Sequence, residues 1–366
     1  MSVRLLVRNQ WLIVKTILIL LLLIAFLQLL LHHETSGVST IFRQPESVQA
    51  SLHCYGETPC FEKLRTFPRS EIETLAGLCH DKASTNEPTT EVRIVGVTAQ
   101  FNKPQSYYER ALRTHLQHSV IHNSKVHILS TKIVDHLWNK PAFILQLLLS
   151  EMEKPEDERA QWLFWFDRDT IIIDTCRSLN TFLPPLGVAR HESEERDDEQ
   201  AAEDRSQYIH LVATKDWNGL NNGIFLLRVH HWSIDLFSAI MALRYYRPDE
   251  KLPFTEQSAM GILLEEPRFQ QNVTWVPQWW FNAYPPGEKD FEGNATAPRN
   301  EYQARKGDFL VHFAGRGDRD KVMEPWLANA ESIGGEWELE PQLRDIDAEI
   351  REFWDTESPD RRDLGS

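Results

Sequence analysis

A short hydrophobic run followed at once by two carboxylates constrains this chain more than any other feature. Residues 162–166 are all apolar, and Asp167 and Asp169 come directly after them. Such an uninterrupted run is typical of a strand that is buried on both faces, as in a sheet covered by helices. Ligands of open α/β sheets bind beyond the carboxyl ends of the strands, and carboxylate oxygens there suit Mg²⁺ or Mn²⁺. The pattern predicts a divalent-cation site after this strand. A solvated acidic turn is the alternative that the tripeptide alone leaves open.

Strands and helices alternate along the middle of the chain. Apolar runs predict strands at 93–98 and 125–129, and helical spacing predicts helices at 107–120 and 141–152. This order predicts an α/β fold with a parallel sheet of the doubly wound kind. Further along, strands are predicted at 208–214, 224–229 and 308–315, helices at 232–246, 254–264 and 326–333, and a turn at 218–223.

The amino end has the composition of a membrane segment. Residues 12–31 are nearly all apolar, and about 20 such residues span a bilayer as a helix. Three basic residues (Arg4, Arg8 and Lys15) lie before or at the start of this run, and none follows it closely. The positive-inside bias then predicts a cytosolic tail at 1–11 and a lumenal remainder. We expect a transmembrane signal-anchor rather than a cleaved signal peptide, because the run is long and no small-x-small cleavage site follows it.

The remaining boundaries follow from composition. Residues 32–90 are polar and rich in turn formers, which predicts a lumenal stem, and the ordered catalytic domain is expected at 91–335. The run at 191–205 is dense in acidic residues and is expected to be a solvated loop. Residues 336–366 form an acidic tail whose apolar spacing allows one surface helix. The net charge of −15 argues against a nucleic-acid partner, because phosphate binding needs a basic surface.

Two further features fit a lumenal location. Asn272 and Asn294 begin sequons for N-glycosylation. The chain also has four cysteines, which could pair in an oxidising compartment: Cys54, Cys60, Cys79 and Cys176. A Cys54–Cys60 bond near the stem is a reasonable expectation, although other pairings and free buried thiols stay open. A zinc site is disfavoured because no C-x-x-C spacing occurs.

Three more places could carry chemistry. His312 ends a hydrophobic strand, and an imidazole there could complete the ligand shell of Mn²⁺, although a structural histidine is the alternative. Asn222 and Gly223 precede a buried strand and could bring backbone close to a ligand, unless they form an ordinary turn. Glu256 and Gln257 open a helix, where a carboxylate or amide could face a reacting carbon. Compensation of the helix dipole is the alternative for that pair.

Four ordered segments together resemble one known family. They are WLFWFDRDTIII at 162–173, DWNGLNNGIFLLRVHHWSIDLF at 216–237, TEQSA at 255–259 and VHFAG at 311–315. The chain resembles the fungal and plant glycosyltransferase family of α-1,2-galactosyltransferases, α-1,6-mannosyltransferase subunits and xyloglucan xylosyltransferases. The resemblance covers residues 91–330. It implies a GT-A fold, which is a nucleotide-sugar-binding sheet flanked by helices, behind the transmembrane helix.

The resemblance also assigns the donor side of a site. Asp167 and Asp169 look like the D-x-D pair that holds Mn²⁺ against the diphosphate of a nucleotide sugar. His312 looks like the third metal ligand. Thr98, with the two residues that follow it, looks like the edge that binds the nucleoside. The implied cofactor is therefore Mn²⁺, and the implied donor is UDP-galactose or GDP-mannose.

Other positions take roles at the reacting end by the same resemblance. Asn222 and Gly223 sit where the family lines the donor-sugar pocket, and Glu256 and Gln257 match the pair beneath the anomeric carbon. A basic residue after the VHFAG segment is expected to bind phosphate, and Arg316 is our first candidate.

The chain departs from the family pattern in places. Arg168 stands in the middle of the D-x-D, where a small or acidic residue is usual. The family often has a cysteine and then a basic residue directly after the VHFAG segment, and this pair is absent here. Arg319 is therefore a second candidate for the phosphate-binding cation. The acidic run at 191–205 is also unexpected.

The implied function is a Golgi type II membrane glycosyltransferase. It would transfer galactose or mannose to a glycan acceptor with retention of configuration, alone or in an oligomer with other Golgi transferases. One alternative is a non-catalytic subunit of a mannosyltransferase complex. Another is a metal-dependent phosphatase, because Asp167 and Asp169, followed by Thr170, resemble the D-x-D-x-T motif of aspartate-nucleophile phosphatases. Two strand–helix units precede Asp167, however, whereas such phosphatases carry that motif on the opening strand.

Overall fold

The computed structural model describes residues 20, 22–24, 28, 46–56, 61–82, 92–101, 104–184, 209–286, 300–305, 307–332 and 346–357. The chain divides into two compact units, 1–46 and 47–366. The described residues between 20 and 28 are helical. In the described ranges, no helix is both long enough and apolar enough to cross a membrane. Most of the predicted span at 12–31, and all of the tail at 1–11, lie outside those ranges.

The second unit is a mixed α/β fold. Its strands are β1 Ser47–Gln49, β2 Ser51–Tyr55, β3 Thr66–Pro68, β4 Ile94–Ala99, β5 Lys125–Leu129, β6 Trp162–Phe166, β7 Thr170–Ile172, β8 Leu211–Asp216, β9 Gly219–Arg228, β10 Val273–Val276 and β11 Leu310–His312. Its α-helices are α1 Arg69–Lys82, α2 Ser106–Ile121, α3 Asn139–Met152, α4 His231–Tyr246, α5 Glu256–Leu264, α6 Pro267–Gln270, α7 Arg319–Val322, α8 Glu324–Ala330 and α9 Ile346–Glu357. Short 3₁₀ turns occur at His136–Trp138, Leu179–Phe182 and Gln278–Trp280.

Within the described residues, seven strands form a central sheet in the order β10-β8-β9-β6-β4-β5-β2. Strands β2, β5, β4 and β6 run parallel to one another, and β8 runs parallel to β10. Strand β9 is antiparallel to both of its neighbours, β6 and β8. The sheet is therefore mostly parallel, as predicted, with one reversed strand beside β6. A separate antiparallel pair, β7 and β11, lies next to the carboxyl end of β6.

Strand β6 is buried on both faces, as its sequence predicts. None of its five side chains is more than 2% exposed. Leu163 and Trp165 join a core cluster with residues of α3, α4 and α5, whereas Phe164 and Phe166 join a cluster with residues of α2 and α9. Successive side chains of a strand point to opposite faces, so an unbroken apolar run requires helices on both sides. A central sheet flanked by helices is thus confirmed.

The ordered structure begins earlier than the sequence predicted. Strand β2 pairs in parallel with β5 at the edge of the main sheet, although residues 32–90 were expected to be a stem. The Cys79–Cys176 disulfide joins α1 to the segment after β7. Cys54 is also disulfide-bonded, and Cys60, its expected partner, lies outside the described residues. The prediction of a stem was therefore wrong for the described part of 46–82. Strand β2 is short, contains polar residues and pairs with a strand distant in sequence, so no local apolar run indicates it.

One other expectation needs correction, one predicted helix is present, and one outcome bears on glycosylation. Residues 219–223 do not form a turn but begin β9, and the hairpin loop is confined to Trp217 and Asn218. The single helix that the apolar spacing of the acidic tail allows is observed as α9, which packs Ile350 and Trp354 into the main core and leaves its other face exposed. Asn272 is only 7% exposed, which does not suit glycan attachment. The sequon at 294 and the acidic run at 191–205 lie outside the described residues.

Candidate active site

Backbone pairing brings the three predicted metal ligands together at the end of β6. Asp167 follows the last residue of β6, and Asp169 precedes β7. The register of β11 against β7 sets His312 opposite Thr170, directly beside Asp169. One ligand atom from each of the three residues lies within 4.8 Å of the other two, and His312 Nε2 is 3.6 Å from Asp169 Oδ1. Two carboxylates and an imidazole at these separations can share one divalent cation.

The orientation of His312 is fixed from behind. Its Nδ1 lies 2.8 Å from the side-chain oxygen of Asn282, which is fully buried. An amide oxygen only accepts hydrogen bonds, so Nδ1 donates to it and Nε2 is left facing Asp169. The Asn282 amide nitrogen donates in turn to Thr214 Oγ1 at 2.7 Å. This arrangement is typical of metal-binding histidines, whose second nitrogen is held by a polar group. Asn282 was not identified from the sequence.

Gly223 leaves room for the His312 ring. A Cβ atom at this position would lie 2.3 Å from His312 Cε1 and 3.0 Å from Nε2. The Gly223 carbonyl also accepts a hydrogen bond from the Asp167 backbone amide at 2.8 Å. Glycine is needed here for close approach of a side chain to the backbone, not for an unusual turn.

Lys140 is a site residue that the sequence analysis missed. Its Nζ is 3.1 Å from Asp167 Oδ1 and 3.6 Å from Glu256 Oε1. It also donates to the backbone and side-chain oxygens of Asn222, at 3.1 and 3.0 Å. Burial acts to lower the pKa of Lys140, but the carboxylates of Asp167 and Glu256 outweigh burial and raise it, so the group stays protonated. A positive charge in the first turn of a helix is unfavourable because it opposes the helix dipole. The position of Lys140 at the start of α3 is therefore the signal in the sequence that could have identified it.

Glu256 is buried, and the residue before it has a strained backbone. It is 3% exposed, and within the described part of the chain its Oε2 has no hydrogen-bond partner. Burial raises the pKa of Glu256, although nearby Lys140 acts in the opposite direction. The preceding Thr255 has φ 55° and ψ −117°, a backbone conformation that a β-branched residue rarely adopts. Gln257 accepts a hydrogen bond from the Asn222 amide at 3.1 Å. The predicted pair thus opens α5 beside Lys140 and Asn222.

Of the two candidate cations after β11, Arg319 reaches the acidic cluster. Its Nε donates to Asp169 Oδ2 at 2.7 Å, and its Nη1 donates to the Arg316 carbonyl. Burial alone would raise the pKa of Asp169, but His312 and Arg319 outweigh burial and lower it. Arg316, the residue predicted first, instead pairs with the Asp318 carboxylate at 3.1 Å. Arg319 therefore takes the position nearest the cluster.

Arg168 and the predicted nucleoside edge lie around this cluster. The Arg168 guanidinium lies 4.2 Å from the centre of the Tyr108 ring, which is a cation–π contact with α2. Thr98 is the last residue but one of β4, the strand next to β6, and is 1% exposed. Within the described residues, Thr98 Oγ1 and the Gln100 side-chain oxygen are buried with no hydrogen-bond partner. Buried polar atoms without partners are uncommon, so these two atoms fit a ligand that would supply hydrogen bonds.

The geometry as a whole suits a phosphorylated substrate. A cation held by two carboxylates and an imidazole usually also binds substrate phosphates. Arg319 on one side, and Lys140 with Glu256 on the other, place further charges around it. The site lies beyond the carboxyl end of β6, where open α/β sheets bind their ligands.

The chain is similar to several known proteins. An α-1,2-galactosyltransferase of Schizosaccharomyces pombe, itself uncharacterised, is 28% identical over 49% of this chain and 52% of its own length. A probable α-1,6-mannosyltransferase of Saccharomyces cerevisiae, MNN10, is 27% identical over 44% of this chain and 42% of its own length. The chain spans about half the length of these curated relatives.

One solved structure is also similar, a glycosyltransferase involved in the glycosylation of the major capsid of PBCV-1. It matches with a TM-score of 0.44 and 14% identity, over 63% of this chain and 98% of that chain. The family model of the galactosyl transferase GMA12/MNN10 family matches residues 92–321, which are more than half of the chain and include every site residue described above. On this match, the chain is a member of the galactosyl transferase GMA12/MNN10 family.

Proposed function

We propose that this protein transfers a hexose, galactose or mannose, from a nucleotide sugar to a glycan acceptor with retention of configuration and in a Mn²⁺-dependent way. The observation that carries the proposal is the cluster of Asp167, Asp169 and His312 at the end of β6. The family and the galactosyl- and mannosyltransferase names of its relatives support a hexose donor.

The donor set fits Mn²⁺ better than Mg²⁺. Carboxylate oxygens accept either ion, but an imidazole ligand favours the softer one. Asn282 holds the His312 ring, and Arg319 occupies the outer oxygen of Asp169, so the ligand atoms are oriented before an ion arrives. A bound divalent cation would neutralise the charge that builds up on a departing diphosphate.

The residues around Lys140 would serve the reacting sugar. Glycosyl transfer passes through an oxocarbenium-like state, which a nearby carboxylate stabilises. Glu256 is the buried carboxylate beside the cluster, and Lys140 keeps its charge compensated in the absence of substrate. Gln257 binds the Asn222 amide and thereby fixes the start of α5 against β9. We propose Glu256 and Gln257 at the reacting carbon, and Asn222 and Lys140 as the residues that position them.

A Golgi location with type II topology is part of the proposal. The apolar segment at 12–31, the basic residues around its start and the absence of basic residues just after it support a signal-anchor. The disulfide between Cys79 and Cys176 supports an oxidising compartment for the folded unit. An assembly with other Golgi transferases stays a proposal without a structural observation.

Nucleotide binding to the purified full chain tests the proposal. Thermal unfolding would be followed with UDP or GDP, with Mn²⁺ or with a chelator, for the wild type, Asp169→Ala and the control Asp157→Ala. Asp157 is an exposed carboxylate remote from the site. We expect one nucleotide to raise the melting temperature only with Mn²⁺, and we expect Asp169→Ala alone to abolish the rise. Transfer would then be assayed with UDP-galactose and GDP-mannose.

Two results would overturn the proposal. No stabilisation by either nucleotide in the wild type would favour a non-catalytic subunit of a transferase complex. Hydrolysis of a phosphomonoester without transfer from a nucleotide sugar would favour the phosphatase alternative.

A further inference from the structure

The β8–β9 hairpin presents an exposed tryptophan near the candidate site. Its two-residue loop consists of Trp217 and Asn218, and Trp217 is 73% exposed. Gly219 follows with φ 96°, a conformation that lets the chain reverse in so short a loop. A large aromatic side chain left in solvent at a hairpin tip adds little to the core, and its exposed face can contact a ligand.

Trp217 belongs to a group of three aromatic residues, which we call the aromatic platform: Trp217, Tyr284 and Tyr302. The Trp217 ring meets Tyr284 edge-on at 5.4 Å and Tyr302 at 6.2 Å. Tyr284 is 6% exposed, and its ring lies 5.9 Å from the ring of His312. The platform therefore starts at the candidate metal cluster and ends in solvent.

Hydrogen bonds fix the platform relative to the candidate site. The Tyr284 hydroxyl donates to Asp216 Oδ2 at 2.6 Å and accepts from Asn221 Nδ2 at 2.5 Å. The other oxygen of Asp216 accepts from the Asn218 amide at 2.7 Å, which holds the hairpin loop. Asn221 Oδ1 accepts from the Gly223 amide at 2.9 Å. Because Gly223 also contacts Asp167 and His312, a continuous set of contacts connects the hairpin tip to the candidate metal cluster.

The sheet order separates the platform from the nucleoside edge. Strands β8 and β9 lie on one side of β6, and β4 lies on the other. Asp167 directly follows β6, so Thr98 near the end of β4 and Trp217 at the β8–β9 tip lie on opposite sides of it. If the donor nucleoside binds at Thr98, Trp217 lies on the side left for the acceptor.

We propose that Trp217 is a stacking surface for a pyranose ring of the glycan acceptor, one or more residues away from the ring that receives the new sugar. This inference rests on the proposed function. The axial C–H bonds of a pyranose form an apolar face that packs against an aromatic ring. Asn218, the other residue of the loop, is also exposed and adds a polar side chain beside Trp217 in the sequence. A protein partner that buries Trp217 is the competing occupant, and the experiment below separates the two.

Direct glycan binding, measured without a donor, tests the inference. A mannose oligosaccharide and methyl α-mannoside would be titrated calorimetrically into the full-length wild type, Trp217→Ala, Trp217→Phe and Tyr245→Ala. Tyr245 is the matched control because it is also 73% exposed but lies at the end of α4. We expect Trp217→Ala to weaken oligosaccharide binding about 3- to 10-fold, as for loss of one aromatic contact. Trp217→Phe should retain most of the affinity, and Tyr245→Ala should retain all of it.

Several results would decide against the inference. Equal oligosaccharide affinity in the wild type and Trp217→Ala would overturn it. The inference would also be overturned if Trp217→Ala weakened oligosaccharide binding and Mn²⁺-dependent UDP or GDP binding equally, because the substitution would then act through the candidate metal cluster. Loss of a protein complex at unchanged glycan affinity would assign Trp217 to a protein interface. Failure of nucleotide binding in the wild type, with glycan binding through Trp217 intact, would refute only the proposed function.

Discussion

Replacement of Gly223 by alanine should damage the candidate metal site through one methyl group. The added Cβ would lie 2.3 Å from His312 Cε1, where unstrained carbon atoms stay about 3.5 to 4 Å apart. The ring cannot simply rotate away, because Asn282 holds its Nδ1 and both residues are buried. We expect overpacking to cost about 1 to 3 kcal/mol of unfolding free energy. Displacement of an oriented histidine should weaken Mn²⁺ binding by about 10- to 100-fold.

Calorimetric titration of Mn²⁺ into the full chain would measure the loss of affinity, and urea unfolding would measure the loss of stability. Gly261→Ala is the matched control, since its Cβ would meet only Leu220 Cβ at 3.9 Å. Gly261 lies inside α5, where alanine should stabilise by about 0.5 to 1 kcal/mol. The double variant Gly223→Ala with His312→Ala should recover the overpacking cost, because the clashing ring is absent. Unchanged Mn²⁺ affinity in Gly223→Ala, or no recovery in the double variant, would refute the reasoning.

Three further changes test other parts of the structure. Thr255→Gly should raise the unfolding free energy in urea by up to about 1 kcal/mol, because it removes a strained positive φ, and a lower stability would contradict this. Cys79→Ser should lower the unfolding free energy by about 2 to 5 kcal/mol, since Cys79 and Cys176 close a loop with a sequence separation of 97; an unchanged urea midpoint would argue against that role. Burial, and after it the neighbouring His230, lower the pKa of His210 to about 3. Below about pH 6.5 the unfolded chain therefore binds a proton that the folded chain does not bind, and the unfolding free energy falls as the pH drops. His210→Phe should therefore reduce the pH slope of the unfolding free energy between pH 6 and 4 by about 1.4 kcal/mol per unit, and an identical slope in both proteins would be evidence against it.

The parts of the fold that local sequence determines were predicted well. Strands β5 and β6 have the predicted bounds, because short stretches rich in apolar residues have few other ways to be buried. The D-x-D pair could be placed for the same reason, since it follows β6 directly. Grouping His312 with it needed the family resemblance, because its position depends on the register of β11 against β7. No local pattern in a sequence specifies that register.

The remaining site residues depend on contacts between distant parts of the chain. Lys140 reaches Asp167 and Glu256 from the start of α3, and Asn282 reaches His312 from a segment that follows β10. Neither residue belongs to a motif, and each would be polar surface if the elements packed differently. The N-terminal part of the folded unit was missed for a related reason. Its edge strand is recognisable only from its pairing with β5.

That missed segment matters for any truncated protein. A fragment beginning at residue 91 would lack β2 and leave the edge of β5 unpaired. It would also leave Cys176 without its partner and remove Phe67, which is fully buried and lies 4.1 Å from the Arg113 guanidinium. An unpaired parallel edge favours association with other chains. Loss of activity in such a fragment would therefore report on folding and not on the candidate site.

Three consecutive residues of β9 explain how the two sides of the site are connected. Because side chains alternate along a strand, Asn221 and Gly223 face one way and Asn222 faces the other. Asn221 binds Tyr284 of the aromatic platform, and Gly223 borders His312. Asn222 binds Lys140 on the opposite face, beside the carboxylate proposed to act at the reacting carbon. A shift of β9 by one residue would exchange these faces and separate all three contacts at once. The antiparallel pairing of β9 with β6 therefore sets the geometry between the donor side and the proposed acceptor side.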